Sequence, residues 1–332
     1  MESIILINSK WGNDIFIPMY LFFGGLTGGM FIVAVVADLI GIKHKAFESF
    51  SKTAALITVP VLALAGLFIT FHLGKPERGL LFPFFFSNYN SWMVIGGWSV
   101  GLAFPVVVGY AALWFFEINQ FYRRLLGVVG IPLLGFVSLY TGLLLSGAKF
   151  VPLWSQQYLP YLFLNSGILT GLAAAGLAFL LFHTFVKTEL DDMSRILQIV
   201  GYAILALIVV EGLELYLFMN HLALNPEKLD ETGKFINPNG GALAYEYVTQ
   251  GVLAPWFWWG IVGMGLTFPL ILTFIEMIFD KIIRPYVNWV AGVKFASILA
   301  GGIILRFVIV WGGDLKAPLV FPPALFQLPL SG

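Results

Sequence analysis

Long apolar runs, separated by short polar or Pro/Gly-containing segments, dominate the hydrophobic pattern of this chain. Eight runs are each about as long as an α-helix needs to cross ~30 Å of hydrocarbon. They are continuously apolar rather than alternating, and lipid offers no partner for open backbone groups, so helices are predicted instead of a barrel. The fold class predicted is an all-α integral membrane protein with eight transmembrane helices. The runs are Phe16–Gly41, Thr53–Phe71, Ser91–Phe116, Leu125–Gly147, Tyr161–Phe185, Ile196–Asn220, Val252–Ile275 and Trp289–Gly312.

The composition agrees with a membrane protein and limits its chemistry. Of the 332 residues, 59% are hydrophobic and 11% charged, against ~25% charged in soluble proteins. The net charge of zero gives no indication of nucleic acid as a partner. Because the chain has no cysteine, it offers no thiolate ligand for an iron–sulfur cluster, so electrons would need another chain or an organic cofactor. The segment Met1–Lys10 lacks the basic start expected of a cleavable signal peptide.

Eight spans place both termini on one side of the membrane, and the distribution of Lys and Arg predicts which side. With the N-terminus outside, ten of the 18 basic residues fall in inner segments and seven in outer ones, with Arg306 inside the last span. This excess favours an N-out/C-out orientation. We expect one domain over 1–332 with a single long outer loop at about 221–251. The inner residues are Lys43, Lys45, Lys52, Arg123, Arg124, Lys187, Arg195, Lys281, Arg284 and Lys294.

Ionisable and phenolic side chains inside the spans indicate where a functional site lies, because such groups are unfavourable in lipid. At ~1.5 Å per helical residue, five of them reach the outer half of the bilayer from four different spans. They are Tyr20, Tyr140, Glu211, Glu214 and Arg306. This convergence predicts a site in one layer, although each tyrosine alone also fits the aromatic belt at the membrane interface.

Glu211 and Glu214 are three residues apart, which places both carboxylates on one face of the sixth span. Two carboxylates so close in a low dielectric would share a proton or be compensated by Arg306. Such a group could exchange protons with a reducible ring. The alternative is a structural Arg–Glu pair that ties the sixth span to the eighth.

A second polar set lies near the inner ends of the spans and comprises Asp38, Glu117, His183 and Glu276. These residues either end helices in the headgroup region or form the inner mouth of a proton path that leads to Glu211. Asp38 is the strongest candidate for that path, because apolar residues still follow it.

The chain's four histidines all lie at or beyond the ends of spans, a position that argues against a haem held by paired histidines.

Several motifs together resemble the NrfD/PsrC family, the membrane subunits of polysulfide reductase-like molybdopterin oxidoreductase complexes. The resemblance is clear from about residue 16 to residue 185 and covers the last three spans by topology. The motifs are YLFFGGLTGG (20–29), Ala37-Asp38-Leu39, HLGKPERG (72–79), NSWM (90–93), Gly96-Gly97-Trp98, YTGLLLS (140–146) and VPLW (151–154).

This resemblance implies two four-helix bundles with both termini outside, and a quinone site in the outer half of the membrane. It also implies a docked four-cluster ferredoxin-like iron–sulfur subunit and a molybdopterin catalytic subunit. In the family's polysulfide reductase, a histidine early in the first span and a tyrosine in the fourth hold the quinone. Tyr140 matches that tyrosine, whereas Tyr20 stands at the histidine's position and could hydrogen-bond a carbonyl without relaying a proton.

The charged turn at 72–79 fits the docking of such a partner. His72, Lys75, Glu77 and Arg78 are predicted at the outer surface above the quinone layer, and Gly and Pro make the turn stiff. A generic loop that ends two helices is the alternative.

The function predicted is a membrane anchor in a prokaryotic cytoplasmic membrane that binds menaquinol or another quinone and exchanges electrons with the iron–sulfur partner. Tyr20 and Tyr140 would bind the quinone, while Glu211, Glu214 and Arg306 would handle its protons, with Asp38 on the proton path. No haem and no iron–sulfur cluster are expected in this chain. A proton-coupled secondary transporter and a haem b anchor are the alternatives. Discontinuous helices at matching places in two halves would favour the transporter, and a haem band in the absorbance spectrum would favour the haem anchor.

Overall fold

Eight of the helices are long and apolar enough to cross a membrane, as the hydrophobic pattern predicts. A computed structural model describes residues 15–72, 88–148, 151–185, 190–224, 228–229, 235–237, 240–278 and 286–314. The chain is therefore an all-α, multi-pass membrane protein.

The membrane helices follow the order of the predicted runs, with one shorter helix between the sixth and seventh. A two-stranded antiparallel pair precedes that short helix. The elements are α1 (Phe16–Ile40), α2 (Ala46–His72), α3 (Trp92–Phe115), α4 (Gln120–Ser146), α5 (Leu159–Phe185), α6 (Leu190–Ala223), β1 (Lys228–Leu229), β2 (Phe235–Asn237), α7 (Gly240–Thr249), α8 (Trp256–Ile278) and α9 (Val287–Trp311).

Helices α1 and α5 lie at the centre of the fold. Helix α1 packs against α2, α4 and α5, while α5 packs against α4, α6 and α9. Helices α3 and α8 complete the packing at α4 and at α9. The two central helices thus join the first four membrane helices to the last four. The arrangement as two separate four-helix bundles and the N-out orientation stay predictions.

Glycines let α1 and α5 touch backbone to backbone. A Cβ on Gly29 would lie 1.8 Å from the carbonyl oxygen of Gly167, and one on Gly171 would lie 2.4 Å from the carbonyl carbon of Gly29. In lipid, helix association depends on such close packing rather than on the hydrophobic effect. Gly25 and Gly29 in α1, like Gly167 and Gly171 in α5, are four residues apart and so form one strip on each helix.

In the sequence, GGLTGG (24–29), GGWSVG (96–101) and GMG (263–265) predict small-residue faces for helix packing, and the structure shows different outcomes for the three. GGLTGG (24–29) is such a face, because its Gly29 packs against Gly167 of α5. GMG (263–265) is another, because a Cβ on Gly301 of α9 would lie 2.2 Å from the Cα of Gly265 in α8. In GGWSVG (96–101), Gly96 packs against Tyr140 of α4, whereas nothing lies within 4 Å of the Cβ position of Gly101.

The predicted outer loop at 221–251 contains regular structure that its length and polarity did not indicate. Helix α6 extends to Ala223, and α7 occupies Gly240–Thr249. The indole nitrogen of Trp258 donates a hydrogen bond to the carbonyl of Thr249 at 2.9 Å, which fixes the end of α7 to α8. A ten-residue helix is too short to cross the membrane, so the span-length criterion could not find it.

The first half of α8 is a π-helix, Trp256–Thr267, that continues as an α-helix over Phe268–Ile278. π-Helices are rare and short, and they are frequent at functional sites. The apolar composition of this segment gave no indication of the wider helical turn.

Asp38, which is itself fully buried, joins three helices through an ion-pair network. Its carboxylate accepts hydrogen bonds from Arg123 Nε at 2.8 Å, Arg123 Nη2 at 2.7 Å, Arg124 Nε at 3.2 Å and the Tyr110 hydroxyl at 3.2 Å. The Arg123 guanidinium also lies 3.5 Å from the ring centroid of Trp114. This network holds the ends of α1, α3 and α4 together.

Two residues that the orientation argument assigned to inner segments are buried. Arg123 is 4% exposed and Lys294 is 1% exposed. Each has an acidic partner inside the fold, so neither contributes a free positive charge to a loop.

The α1–α5 contact predicts a strong effect of Gly29→Ala. The added methyl group would force the two helices apart and lower the free energy of unfolding by about 1–3 kcal/mol, the range seen for overpacking. Thermal unfolding in detergent measures the effect. Gly66→Ala in α2 is the matched control, since nothing lies within 4 Å of its Cβ position; equal shifts for the two variants would contradict the contact.

The Asp38 network predicts that Asp38→Asn destabilises the protein by about 3–5 kcal/mol, because it leaves Arg123 buried without a counter-charge. The control is Glu117→Gln, which breaks the exposed pair between Lys52 and Glu117 and should change stability by no more than about 1 kcal/mol. Thermal unfolding of both variants in detergent measures the difference. A small shift for Asp38→Asn would show that the network does not hold the helices.

Candidate functional site

Tyr20 and Tyr140 lie together at the end of the membrane helices where α1 begins. Both are buried, with 6% and 3% of their surface exposed. Their side chains interact with each other, and the Tyr140 ring also stacks on Phe136 at a centroid distance of 6.4 Å. The sequence placed the two tyrosines at similar depth in the membrane. The structure adds that they contact each other, one from α1 and one from α4.

Gly96 in α3 makes room for the Tyr140 ring. A Cβ at this position would lie 1.7 Å from Tyr140 Cζ and 2.2 Å from its hydroxyl oxygen. Any larger residue would therefore displace the phenol. The sequence marked Gly96 as a general packing residue and did not connect it with Tyr140.

Arg306 is buried between α9, α5 and α1. Its Nη1 donates to the Ser166 hydroxyl at 2.8 Å and its Nη2 to the Phe163 carbonyl at 3.3 Å, while the guanidinium lies 4.1 Å from the Phe163 ring centroid. A Cβ on Gly25 of α1 would lie 3.3 Å from Nη2. The Nε atom is buried and has no hydrogen-bond partner among the described residues.

Glu211 faces the same region from α6. The residue is 5% exposed, and its carboxylate interacts with the Ser166 hydroxyl and with the charge of Arg306. Among the described residues, no ion pair within 4 Å joins Arg306 to a glutamate, so the two charges are bridged by Ser166 rather than paired directly. This geometry differs from the direct Arg–Glu pair that the sequence offered as an alternative.

Glu214 lies one turn along α6 and is half-buried. It interacts with the side chain of Asn165, the neighbour of Ser166 in α5. Both glutamates thus face α5, consistent with their three-residue spacing. One carboxylate oxygen of each, Oε2, is buried without a hydrogen-bond partner in the described part of the chain. Sequence reasoning missed Asn165 and Ser166, although they are adjacent polar residues inside an apolar run.

A small cavity adjoins Glu211 and extends between α5, α8 and α9. Its volume is about 10 Å³, close to the minimum that holds one water molecule. The polar groups in its wall are Glu211, Ser166 and Thr170. The remaining wall consists of Leu169, Ile261, Gly265, Leu266, Ile298, Gly301 and Gly302.

A larger groove of about 600 Å³ lies between α6, α7 and α8. Its lining is mainly apolar, with Tyr216, Asn220, Tyr245, Thr249 and Thr267 as polar members. Leu266 borders both this groove and the cavity at Glu211. The π-helical half of α8 therefore separates the buried carboxylate from the surface groove.

The predicted site residues form two clusters rather than one. Gly25 of α1 lies near both: its carbonyl accepts a hydrogen bond from Ser138 of α4 at 2.9 Å, and a Cβ on Gly25 would lie 3.3 Å from Arg306 Nη2. Tyr20 and Tyr140 form the cluster on the α4 side. The cavity at Glu211 includes neither tyrosine in its wall.

Other predicted site residues lie apart from both clusters. Asp38 is in the ion-pair network at the opposite ends of the helices. His72 is the last residue of α2, and the docking residues Lys75, Glu77 and Arg78 lie outside the described residues.

Comparison with known proteins assigns the chain to a family. The model of the family described as "Polysulphide reductase, NrfD" matches residues 8–317. One subunit of the polysulfide reductase of Wolinella succinogenes is 27% identical over 324 residues, which cover 90% of this chain and 93% of that protein. Protein NrfD of Escherichia coli is 27% identical over 326 residues, covering 90% and 94%. The NrfD homolog of Haemophilus influenzae is 24% identical over 331 residues, covering 93% and 95%. With a match over nearly its whole length, this multi-pass membrane protein belongs to the NrfD polysulphide reductase family.

Proposed function

We propose that this chain is the quinone-binding membrane subunit of a molybdopterin oxidoreductase complex in a prokaryotic cytoplasmic membrane. It oxidises menaquinol, or another quinol, and passes the electrons to a four-cluster ferredoxin-like iron–sulfur partner. The substrate ring supplies the redox chemistry, since the chain itself contains no cysteine to hold a cluster. The observation that carries the proposal is the pair of buried phenols, Tyr20 and Tyr140, which α1 and α4 hold side by side.

The tyrosine pair supplies the recognition of the quinone. The two phenols interact with each other, which uses one hydroxyl proton. The other proton is left for a partner that accepts hydrogen bonds, such as a ring carbonyl, because an unmade hydrogen bond is unfavourable in an apolar environment. Gly96 sets the position of one phenol. The site also lies at the end of α1 where Phe16 meets Phe71, next to the end of α2; the iron–sulfur partner is proposed to dock on the turn that follows α2.

Glu211 supplies the proton chemistry, with Arg306 and Ser166 holding its carboxylate. The unpartnered Oε2 atom of Glu211 is available to accept or release a proton. Arg306 stabilises the ionised form of the Glu211 carboxylate through Ser166. Because the two charges are not directly paired, the carboxylate can still take up a proton. Glu214, half-buried beside Asn165, is the proton-exchange group nearer the surface of α6.

Asp38 stays a predicted proton-path residue, but its contacts favour a structural role. Both of its carboxylate oxygens accept hydrogen bonds from arginines. A group engaged in this way has little freedom to exchange protons.

The tyrosine site predicts matched effects of Tyr140→Phe and Gly96→Ala. Loss of one hydrogen bond to the substrate, about 0.5–1.5 kcal/mol, should raise the KM for quinol roughly two- to twelvefold. Gly96→Ala should have a similar or larger effect, because the methyl group displaces the phenol. Quinol oxidation by the intact complex in membranes, with a menaquinol analogue as substrate, measures both.

Gly101→Ala in the same helix is the control, since nothing lies within 4 Å of that Cβ position, and it should leave KM unchanged. Unaltered kinetics in both Tyr140→Phe and Gly96→Ala would rule out the tyrosine pair as the binding site.

The proton site predicts that Glu211→Gln lowers kcat for quinol oxidation by about 100-fold or more, the range for loss of a general base. Gln keeps the shape of the side chain, so quinol binding and assembly of the complex should be retained. Glu246→Gln on α7, where the side chain is exposed, serves as the control. Turnover of Glu211→Gln within threefold of the parent protein would remove Glu211 from the mechanism.

A further inference from the structure

The large groove between α6, α7 and α8 separates two membrane helices that hardly touch. Helix α6 packs against α5 but makes few contacts with either half of α8. The groove of about 600 Å³ occupies the space between α6 and α8. Membrane helices are held together by close van der Waals packing, and these two helices lack it along the groove. A molecule that fills the groove would supply the missing contacts.

The groove arises from the shape of both helices. On α6, Gly212 lines the groove, and nothing lies within 4 Å of its Cβ position. The facing wall includes Phe257 and Leu266 from the π-helical half of α8, a rare form of helix that is frequent at functional sites. A missing side chain on one helix thus faces an unusual backbone on the other.

The lining changes from polar to apolar along the depth of the membrane. At the polar end, Asn220 lies near the end of α6, and Tyr245 and Thr249 belong to α7. From Asn220 the lining follows α6 for twelve residues to Ile208, or ~18 Å into the membrane, past mainly apolar side chains. Thr267 on α8 lies farther from the polar end. The groove therefore has the length and polarity of an amphipathic ligand with a hydrocarbon chain.

Tryptophans place the polar end of the groove at the membrane interface. Trp256, Trp258 and Trp259 lie at the start of α8, and all three are exposed. Exposed tryptophans are enriched at the depth of the lipid head groups. In a diacyl lipid, the ester groups lie at the inner edge of that layer, above the hydrocarbon chains. The polar end is thus level with ester carbonyls.

The chemistry of the lining also fits an uncharged acceptor. None of the described residues that line the groove is charged, so a charged group would find no counter-charge in its wall. The hydroxyls of Tyr216 and Tyr245 and the amide of Asn220 can donate hydrogen bonds, which suits ester carbonyls. An isoprenoid quinone also combines carbonyls with a long chain, but membrane lipids are in large excess over quinones, and mass action favours the more abundant ligand.

We propose that the groove binds one diacyl lipid, with an acyl chain between α6 and α8 and an ester carbonyl at the donors of Tyr216, Asn220 and Tyr245. The charged head group stays outside the groove, so its charge does not decide binding. The bound chain completes the packing of α6 against α8. This inference does not depend on the proposed quinol chemistry.

Lipid retention by the complete complex tests the proposal. The complex is washed in detergent until the surrounding lipid is removed, and native mass spectrometry then counts the lipids on the membrane subunit. The parent should retain one diacyl lipid, whereas Gly212→Phe fills the groove and should lower retention at least tenfold. Gly292→Phe in α9 is the matched control and should behave like the parent, since nothing lies within 4 Å of its Cβ position and it does not line the groove.

A lipid titration tests the polar end separately. Dioleoyl phosphatidylethanolamine is added to the washed complex, and the rise in Tm reports binding. Tyr245→Phe should weaken the affinity roughly two- to twelvefold, the effect of one lost hydrogen bond. Tyr161→Phe, at an exposed tyrosine of α5 outside the groove, should leave the affinity unchanged. Dioleoyl phosphatidylglycerol, whose head group is anionic, should bind within threefold of the first lipid.

Several results would overturn the lipid site. These are a parent complex that retains no lipid, or equal retention in the parent and in Gly212→Phe. A retained quinone that Gly212→Phe removes, in place of a lipid, would assign the groove to a redox ligand instead. If Gly212→Phe does not assemble, the titration decides, and unaltered affinity in Tyr245→Phe would refute the site. A more than tenfold preference for phosphatidylglycerol would contradict binding through an uncharged part of the lipid.

Discussion

The backbone contact between α1 and α5 is the constraint on which the remaining structure depends. In lipid, helices gain little from burying apolar surface against one another, so close packing of small residues has to hold them together. Gly25 and Gly29 on one helix and Gly167 and Gly171 on the other supply that packing. Each central helix uses one side for this contact, which leaves its other sides for the polar clusters.

The two central helices also share a short sequence. Leu-Thr-Gly occurs at 26–28 in α1 and at 169–171 in α5. Both threonines return a hydrogen bond to their own helix, Thr27 to the Phe23 carbonyl at 2.7 Å and Thr170 to the Ser166 carbonyl at 2.6 Å. A three-residue match is too short to identify an internal repeat.

The hydrophobic pattern was sufficient to predict the eight membrane helices, because span length and continuous apolarity are strong signals. It was weaker at helix ends: α2 begins at Ala46 rather than at Thr53, since Glu48 and Lys52 interrupt the apolar run without ending the helix. Depth along a helix could also be read from the sequence, and it placed Tyr20 level with Tyr140. The rotation of each helix about its axis could not be read in this way, so the sequence did not predict which of the candidate residues contact one another. The π-helix of α8 and the burial of Lys294 depend on tertiary packing in the same way.

The two halves of the protein differ in whether their buried carboxylate oxygens have hydrogen-bond partners. In the first half, Asp38 has arginine partners for both oxygens. In the second half, Glu211, Glu214 and Glu276 each keep one buried oxygen without a partner among the described residues. Leaving such atoms unpaired is unfavourable by about 1–3 kcal/mol each, more for charged groups, and a purely structural helix pair gains nothing in return. A carboxylate that must bind and release protons, however, needs an oxygen that no fixed donor occupies. The open oxygens of Glu211 and Glu214 therefore support the proton exchange proposed for them, whereas the fully bonded Asp38 fits an anchor.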